Sequence, residues 1–240
     1  MTPKKKNIEK LFNEIAGGYD LFNHVTTLDI DKRWRRKAVR RAVDPANPQE
    51  ILDIACGTGD LTIAIAKAAC PQSHVTGIDI AADMRARVRK KAAEAKVDGM
   101  ITVEEGDAEA LRFADGAFDV VCVAFGVRNF ENREQGLCEM LRVLKPGGKL
   151  VLLELSVPSN FLARWLFKIY LGHVLPWIGD AFTGRRESFR YLAASVMAFP
   201  EPAAFRQTLK ECGFRHIRQK PLSFGVCRLY TAEKAPATSC

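Results

Sequence analysis

No stretch of the 240 residues stays apolar for anything near 18 positions, so the sequence offers no transmembrane helix. The basic start, Met1-Thr2-Pro3-Lys4-Lys5-Lys6, runs into a polar amphipathic segment and not into the apolar stretch of a signal peptide. A cytosolic protein is expected. Cysteine occurs seven times but never as C-x-x-C, and most copies sit in apolar contexts. Neither a zinc site nor a disulfide framework is expected, and buried reduced thiols are. Internal repeats and low-complexity tracts are missing. So are the RRM, KH and zinc-knuckle patterns and the basic-aromatic stripe of an RNA-binding surface. Two phosphate-loop signatures fail as well. There is no G-x-x-x-x-G-K-[ST], and Thr62 stands where the third glycine of G-x-G-x-x-G belongs.

What is present is a core-forming composition, 48% hydrophobic, which argues against disorder. The length suits one α/β domain with elaborations. Net charge is +8 and uneven, since residues 1–41 hold eleven Lys/Arg against five Asp/Glu. Such a patch meets nucleic acid, anionic lipid or plain solvent, and charge alone does not choose.

Ile8, Leu11, Phe12 and Ile15 fall at helical spacing and predict a helix over 4–16, stopped at Gly17-Gly18. A second helix is predicted over about 28–43, carrying Trp34 and a Lys/Arg face. Asp44-Pro45-Ala46-Asn47-Pro48 reads as a linker. Strands at 50–55, 74–79, 101–105, 118–124 and 149–155 then alternate with helices at 60–69, 83–95 and 132–144. Lys145-Pro146-Gly147-Gly148 is a turn. Residues 158–200 break the alternation with two helices, read as an inserted helical cap. A helix at 201–212 and strands at 214–219 and 224–231 close the domain. The expected fold is α/β, a doubly wound, mostly parallel, seven-stranded sheet with N-terminal helices. The expected organisation is a single domain over 1–240. Its parts are an N-terminal helical segment (1–48), a cofactor-binding core (49–157), the cap (158–200) and a return to the core (201–232).

The chemistry centres on Ile51-Leu52-Asp53-Ile54-Ala55-Cys56-Gly57-Thr58-Gly59-Asp60. This is a buried strand, a glycine turn and a helix start, where backbone N–H groups and the helix dipole face a ligand. A Gly-x-Gly turn alone also serves as a tight βα connection without a ligand. Asp79, twenty residues past Gly59, ends the second strand, where an acid can grip ribose hydroxyls. Gly106-Asp107-Ala108 follows the third strand, where an Asp can accept from an adenine amino group or simply cap a helix. Ala114-Asp115-Gly116-Ala117-Phe118-Asp119 leads into the fourth strand. The glycine turn, Asp79, Asp107 and residues 124–129 all follow strands and should converge on one sheet edge. The turn, Asp79, Asp107 and the 114–119 segment together resemble class I S-adenosylmethionine-dependent methyltransferases, which have a Rossmann-like fold.

Longer stretches narrow the resemblance. Tyr19-Asp20-Leu21-Phe22-Asn23 with Trp34-Arg35, Phe125-Gly126-Val127-Arg128-Asn129, and Arg142 through Ser156 (RVLKPGGKLVLLELS) are similar to segments of the UbiE/MenG/COQ5 methyltransferase family. The similarity runs from about residue 8 to 231. It implies C-methylation of a prenylated quinol with S-adenosylmethionine as methyl donor and no metal. Cofactor contacts are implied at Thr58 in the turn with Gly57 and Gly59, at Asp79, and at Asp107 with Ala108. Ala124 holds a fourth-strand position that the family often gives to Ser, so a backbone contact survives there and a hydroxyl contact does not. Asp31 and Lys32 stand where the family often has a histidine before Trp34.

Methylating carbon requires an electron-rich ring carbon, which a quinol supplies once a ring hydroxyl is deprotonated. Arg128 is the candidate for stabilising the developing phenolate, because a guanidinium stays protonated and makes a poor base. For the base the candidates are Tyr19, Asp20 and His24, with Asp20 chosen. Asn23 is placed to orient a hydroxyl or water. Asp53 is assigned to the methionine end of the cofactor. The apolar face of 161–177 (Trp165, Leu166, Ile169, Tyr170, Trp177) either packs in the cap, holds the substrate tail or docks on a membrane, aided by the basic N-terminal face. Peripheral contact with the inner face of the membrane is the expectation. A demethylmenaquinol acceptor is the first choice and a methoxy-polyprenyl-benzoquinol the alternative. An RNA methyltransferase, a small-phenol O-methyltransferase and a non-catalytic cofactor binder are the rival readings. No nucleic acid partner is expected.

Overall fold

The computed structural model describes residues 2–15, 27, 29–175 and 186–237. Seven strands form one sheet: β1 (Glu50–Ile54), β2 (His74–Asp79), β3 (Ile101–Glu105), β4 (Phe118–Ala124), β5 (Leu144–Leu155), β6 (Arg215–Leu222) and β7 (Cys227–Glu233). Their spatial order is β3-β2-β1-β4-β5-β7-β6. β1 through β5 pair in parallel, and β7 runs antiparallel to both of its neighbours. The helices are α1 (Pro3–Ile15), α2 (Ile30–Ala42), α3 (Asp60–Ala68), α4 (Ala82–Glu94), α5 (Arg133–Val143), α6 (Phe161–Ile169), α7 (Arg186–Met197) and α8 (Pro202–Glu211).

The apolar runs of the central strands serve two cores at once. Successive residues point to opposite faces, so Leu52, Val121, Val123, Leu150 and Leu152 enter one core with Leu137, Met140 and Phe205. Ile51, Val120, Cys122, Val151 and Leu153 enter the other with Trp34, Val39, Leu61 and Ile65. This two-sided burial explains why β4 and β5 read as continuous apolar stretches without polar alternation. Helix starts are locally encoded. Asn132 caps α5 by accepting from Gln135 N at 3.0 Å, and Asn160 caps α6 by accepting from Ala163 N at 3.1 Å.

The expected elements lie close to those observed, with three differences. The Lys145–Gly148 turn does not interrupt a strand. It is looped out within β5, where Phe118 pairs with Leu144 and Val120 already pairs with Lys149. The last hairpin is shifted towards the C-terminus because its turn, Ser223–Gly225, lies where the sequence suggested the strand would begin. The thiols are not uniformly buried either. Cys56, Cys70, Cys122 and Cys227 are buried, whereas Cys138, on the outward side of α5, is exposed and Cys212, just past the end of α8, is half-exposed.

In the region read as a cap, α6 runs into a π-helical turn at Tyr170–Val174. Phe167, Leu171, Leu175 and Val196 join this region to α7. Gly17, Gly18, Tyr19, Asp20, Asn23, His24 and Trp177 lie outside the described residues.

Gly59 opens α3 at φ 85, and a Cβ there would lie 2.7 Å from Val88 Cγ1 on α4. Gly147 has a similar φ of 77 but open space around it. Gly59→Ala should therefore lose roughly 2–4 kcal/mol, from left-handed strain plus overpacking. Gly147→Ala should lose only about 1 kcal/mol from strain. Urea denaturation of the two variants checks this, and equal losses would refute the packing role of Gly59.

Candidate active site

β1 and β4 lie side by side, and the chain continues from β1 towards one side of the sheet and from β4 towards the other. That is the switch point at which an open α/β sheet leaves a crevice at its carboxyl edge. Both strands break there in the same way. Ala55 follows β1 at φ 53 and Phe125 follows β4 at φ 60, each a left-handed conformation that costs a non-glycine residue about 1–2 kcal/mol. The two ends touch, since a Cβ on Gly126 would lie 2.8 Å from Ala55 Cβ.

Two open clefts share this junction. The larger, about 710 Å³, is lined by Gly57, Asp79, Asp107, Ala108, Ala124 and Asn129 among others. The smaller, about 360 Å³, is lined by Asp53, Thr58, Asp60 and Arg35. Ala55, Gly57, Ala124 and Phe125 border both. The structure thus brings together Asp53, Gly57, Thr58, Asp79, Asp107, Ala108 and Ala124. Gly59 lines neither cleft, and its surroundings are those of helix entry and packing. Arg128 is adjacent but is not among the lining residues.

Asp79 is buried at the end of β2. Its Oδ2 accepts from Gly57 N and its Oδ1 from Ala81 N, both at 2.9 Å. Burial pushes its carboxyl up, against the pull of those amides and of Arg85. The carboxylate therefore ties the β2 end to the glycine turn while facing the cleft. Asp53 is 1% exposed and accepts from Thr62 Oγ1 at 2.6 Å. Burial raises its carboxyl to about 7, the Thr62 hydroxyl opposes the rise, and the nearby Asp79 adds to it. A group that is half-protonated near neutrality at the bottom of a cleft is poised to respond to a cation.

Asp107 accepts from Glu109 N at 3.0 Å through Oδ1 and forms an ion pair with Lys5 at 2.5 Å through Oδ2. Lys5 also reaches Glu109 at 3.1 Å. Burial pulls the Lys5 ammonium down, but its two carboxylate partners outweigh that and hold it above its usual value. α1 lies across this end of the larger cleft, adding Ile8 and Phe12 to its wall. The cleft therefore presents apolar walls with a carboxylate at its rim.

Arg128, expected as a cleft-facing cation, is 9% exposed. Its Nη1 donates to Glu154 Oε1 at 2.8 Å and also to the Phe125 carbonyl. Glu154, fully buried at the end of β5, accepts from Arg128 N at 3.1 Å as well. One arm of Arg128 thus clamps the Phe125–Asn129 segment to β5, and its Nε is buried with no hydrogen-bond partner. At the smaller cleft, Arg35 bridges Asp31 at 2.5 Å and Asp60 at 3.2 Å, with its guanidinium 5.8 Å from the Phe125 ring centroid.

Sequence reasoning missed Lys5, Ile8, Phe12, Arg35, Asn129 and Glu154 as site residues. Two had a legible signal. Glu154 interrupts an apolar strand, which flags a buried charge needing a partner. Arg35 stands four residues after Asp31, a helical ion-pair spacing. Nothing local could show which surface α1 covers.

The raised Asp53 carboxyl has a stability consequence. A carboxyl lifted from 3.8 to about 7 contributes stability that is fully present below the unfolded value and is lost as pH rises through 7. Asp53→Asn should escape that loss. The variant should match wild type near pH 4 and exceed it by a few kcal/mol above pH 7, since each tenfold change in proton affinity is worth about 1.4 kcal/mol. Urea denaturation across pH 4–8 checks this, and a pH-independent difference would contradict the assignment.

Known proteins that resemble this chain agree on its kind. The model of the "ubiE/COQ5 methyltransferase family" matches residues 1–234. A demethylmenaquinone methyltransferase of Bacteroides fragilis is 39% identical over 231 residues, covering 96% of this chain and 94% of the relative. One from Deinococcus radiodurans is 42% identical with the same coverage of both chains. A Geobacter sulfurreducens protein named "Ubiquinone/menaquinone biosynthesis C-methyltransferase UbiE" is 39% identical over 234 residues, covering 98% and 91%. Among solved structures, a Thermotoga maritima S-adenosylmethionine-dependent methyltransferase superposes with a TM-score of 0.66 at 17% identity, over 94% of this chain and 99% of that one. Haemonchus contortus phosphoethanolamine N-methyltransferase 2, solved with S-adenosylmethionine, gives 0.63 at 16% identity over 85% and 52%. The distant structures establish the fold, and the near-complete sequence matches go further: this chain belongs to the ubiE/COQ5 methyltransferase family and is a methyltransferase.

Proposed function

We propose that the protein transfers a methyl group from S-adenosylmethionine to a ring carbon of a demethylmenaquinol. The observation that carries the reading is the convergence of Asp53, Asp79 and Asp107 on two joined clefts at the switch point, in a chain whose relatives are named for this reaction. The residues fit the donor. Asp79 is placed to accept from ribose hydroxyls, and Asp107 from the adenine amino group, with Ala108 and the α1 side chains Ile8 and Phe12 against the base. In the smaller cleft, Asp53, Gly57 and Thr58 suit the methionine end, whose ammonium would draw the Asp53 carboxyl back to its charged form. The donor supplies an electrophilic methyl group. The chain holds both partners in line and excludes water, and alignment of this kind contributes up to roughly 7–11 kcal/mol.

Arg128 is assigned to stabilise the acceptor's developing phenolate. With Nη1 held by Glu154, the charge is fixed in place and does not have to reorganise during the reaction. Proton removal is assigned to Asp20, with Tyr19 and His24 as the other candidates and Asn23 as the orienting group. The name of the Geobacter relative favours a second acceptor, the methoxy-benzoquinol of the ubiquinone pathway.

The lipid-soluble acceptor implies a protein that works at the cytoplasmic face of a membrane without crossing it. No described helix is long and apolar enough to span one. The face of α6 is not core. Phe161 is 82% exposed, Leu162 60%, and Trp165 and Leu166 53% each. An amphipathic helix with that much bare apolar surface suits the bilayer interface. The outward face of α2, carrying Lys32, Arg33, Arg36, Lys37, Arg40 and Arg41, adds attraction to anionic lipid.

Purified protein given labelled donor should methylate reduced demethylmenaquinone in preference to the benzoquinol, as product identification by mass spectrometry would record. Labelling of neither sinks the reading. Arg128→Ala would leave Glu154 buried without its partner and cost about 3–5 kcal/mol. Arg128→Lys is therefore the better probe. It should bind the donor normally and lose roughly 100-fold in kcat. On vesicles containing anionic lipid and quinone the protein should sediment, and Trp165→Glu with Leu166→Glu should release it. Equal sedimentation of both forms would remove α6 from the contact.

A further inference from the structure

A polar contact joins the helical cap to the reaction cleft. Tyr191, on α7, donates its phenolic hydrogen to Asn129 Oδ1 at 3.1 Å. Asn129 ends the single helical turn Val127–Asn129 that follows β4, and it lines the larger cleft. Its backbone is fixed, with its N–H donating to Gly126 O at 3.0 Å and Arg128 beside it clamped to Glu154. The Tyr191 phenol is half-buried. Burial raises its pKa, and the nearby Arg128 charge only partly offsets the rise. The phenol is therefore a neutral donor at working pH.

A carboxamide has an acceptor end and a donor end. Tyr191 occupies the acceptor end, which leaves the N–H2 as the end of the Asn129 carboxamide that can donate to a ligand. The carboxylates of Asp53, Asp79 and Asp107 are acceptors when charged. A methyl acceptor whose ring oxygen gains negative charge needs donors instead. Arg128 supplies fixed charge beside the cleft, and Asn129 supplies a neutral donor in its wall.

We propose that Tyr191 is a positioning residue for the methyl acceptor: it holds the Asn129 carboxamide with its N–H2 towards the acceptor's ring oxygen, so that oxygen is gripped only while α7 is docked. The inference rests on the quinol methyltransferase reading. It gives the cap a role distinct from membrane contact, because α6 carries the exposed apolar face and α7 carries the link to the cleft.

The test is a cycle of Tyr191→Phe, Asn129→Ala and the double variant, assayed with the reduced quinol that wild type methylates. Tyr191→Phe removes one oxygen atom and keeps the ring packing. Its melting temperature and donor affinity should match wild type, while kcat falls roughly 10- to 100-fold. Asn129→Ala should fall at least as far. The double variant should be no slower than Asn129→Ala alone, because the hydroxyl acts only through the carboxamide. A Tyr191→Phe kcat within twofold of wild type overturns the proposal. So do losses that multiply in the double variant, or a loss confined to donor affinity or melting temperature. If wild type methylates neither quinol, the functional reading falls and this inference falls with it. If wild type turns over and Tyr191→Phe is unaffected, only this inference falls.

Discussion

The close approach of Gly126 to the Ala55 side chain ties the ends of β1 and β4 together at the carboxyl edge. Gly126 lies against Ala55, and only a residue without a side chain tolerates that approach. Beside it both strands break in left-handed turns, at Ala55 and Phe125, and these two residues line both clefts. Asp53 and Asp79 are then brought to the junction by strand register alone, since β1 and β2 pair Asp53 with Gly77 and Ile54 with Ile78. The strain of the breaks is offset by the two cores beneath, in which adjacent residues of β4 and β5 pack on opposite faces.

Two electrostatic situations coexist at this edge. Around Arg128 the charges are matched. Glu154 is fully buried, and it accepts from the Arg128 side chain, the Arg128 amide and the Leu155 amide. That pair contributes rigidity, fixing the segment from Phe125 to Asn129 on the end of β5. Around Asp53 the charge is poorly matched. The Thr62 hydroxyl and amide both donate to it, but Arg35 is already engaged by Asp31 and Asp60, and burial lifts the carboxyl to about 7. A matched pair suits a scaffold. A mismatched acid suits a site completed by a cationic ligand, and the methionine ammonium of S-adenosylmethionine is such a ligand.

The alternating strands, the glycine turn and the Asp79 and Asp107 positions were legible because each depends on local pattern: apolar runs, a turn signature and an acid at a strand end. The family segments added the reaction. Other features depended on tertiary contacts. The Lys5 pair with Asp107 joins residues 102 positions apart in the chain, and no periodicity predicts it. The same holds for α1 lying over the larger cleft. Arg128 stands out in sequence as a guanidinium just past a strand end, but its commitment to Glu154 depends on β4 and β5 being neighbours. The α6 stripe from Phe161 to Leu166 is compatible in sequence with cap packing, a tail groove or membrane contact, and its accessibility shows that it faces outward.

If Asp53 is the buried acid that the methyl donor completes, donor binding must move a proton. The direct measurement is the number of protons exchanged when S-adenosylmethionine binds at pH 6.5, obtained by calorimetry in buffers of different ionisation enthalpy. With a free carboxyl near 7, Asp53 is mostly protonated at that pH, and an arriving ammonium lowers its pKa. Wild type should release a substantial fraction of one proton, and Asp53→Asn should release none. Binding without proton release, or equal release from the variant, would contradict that role.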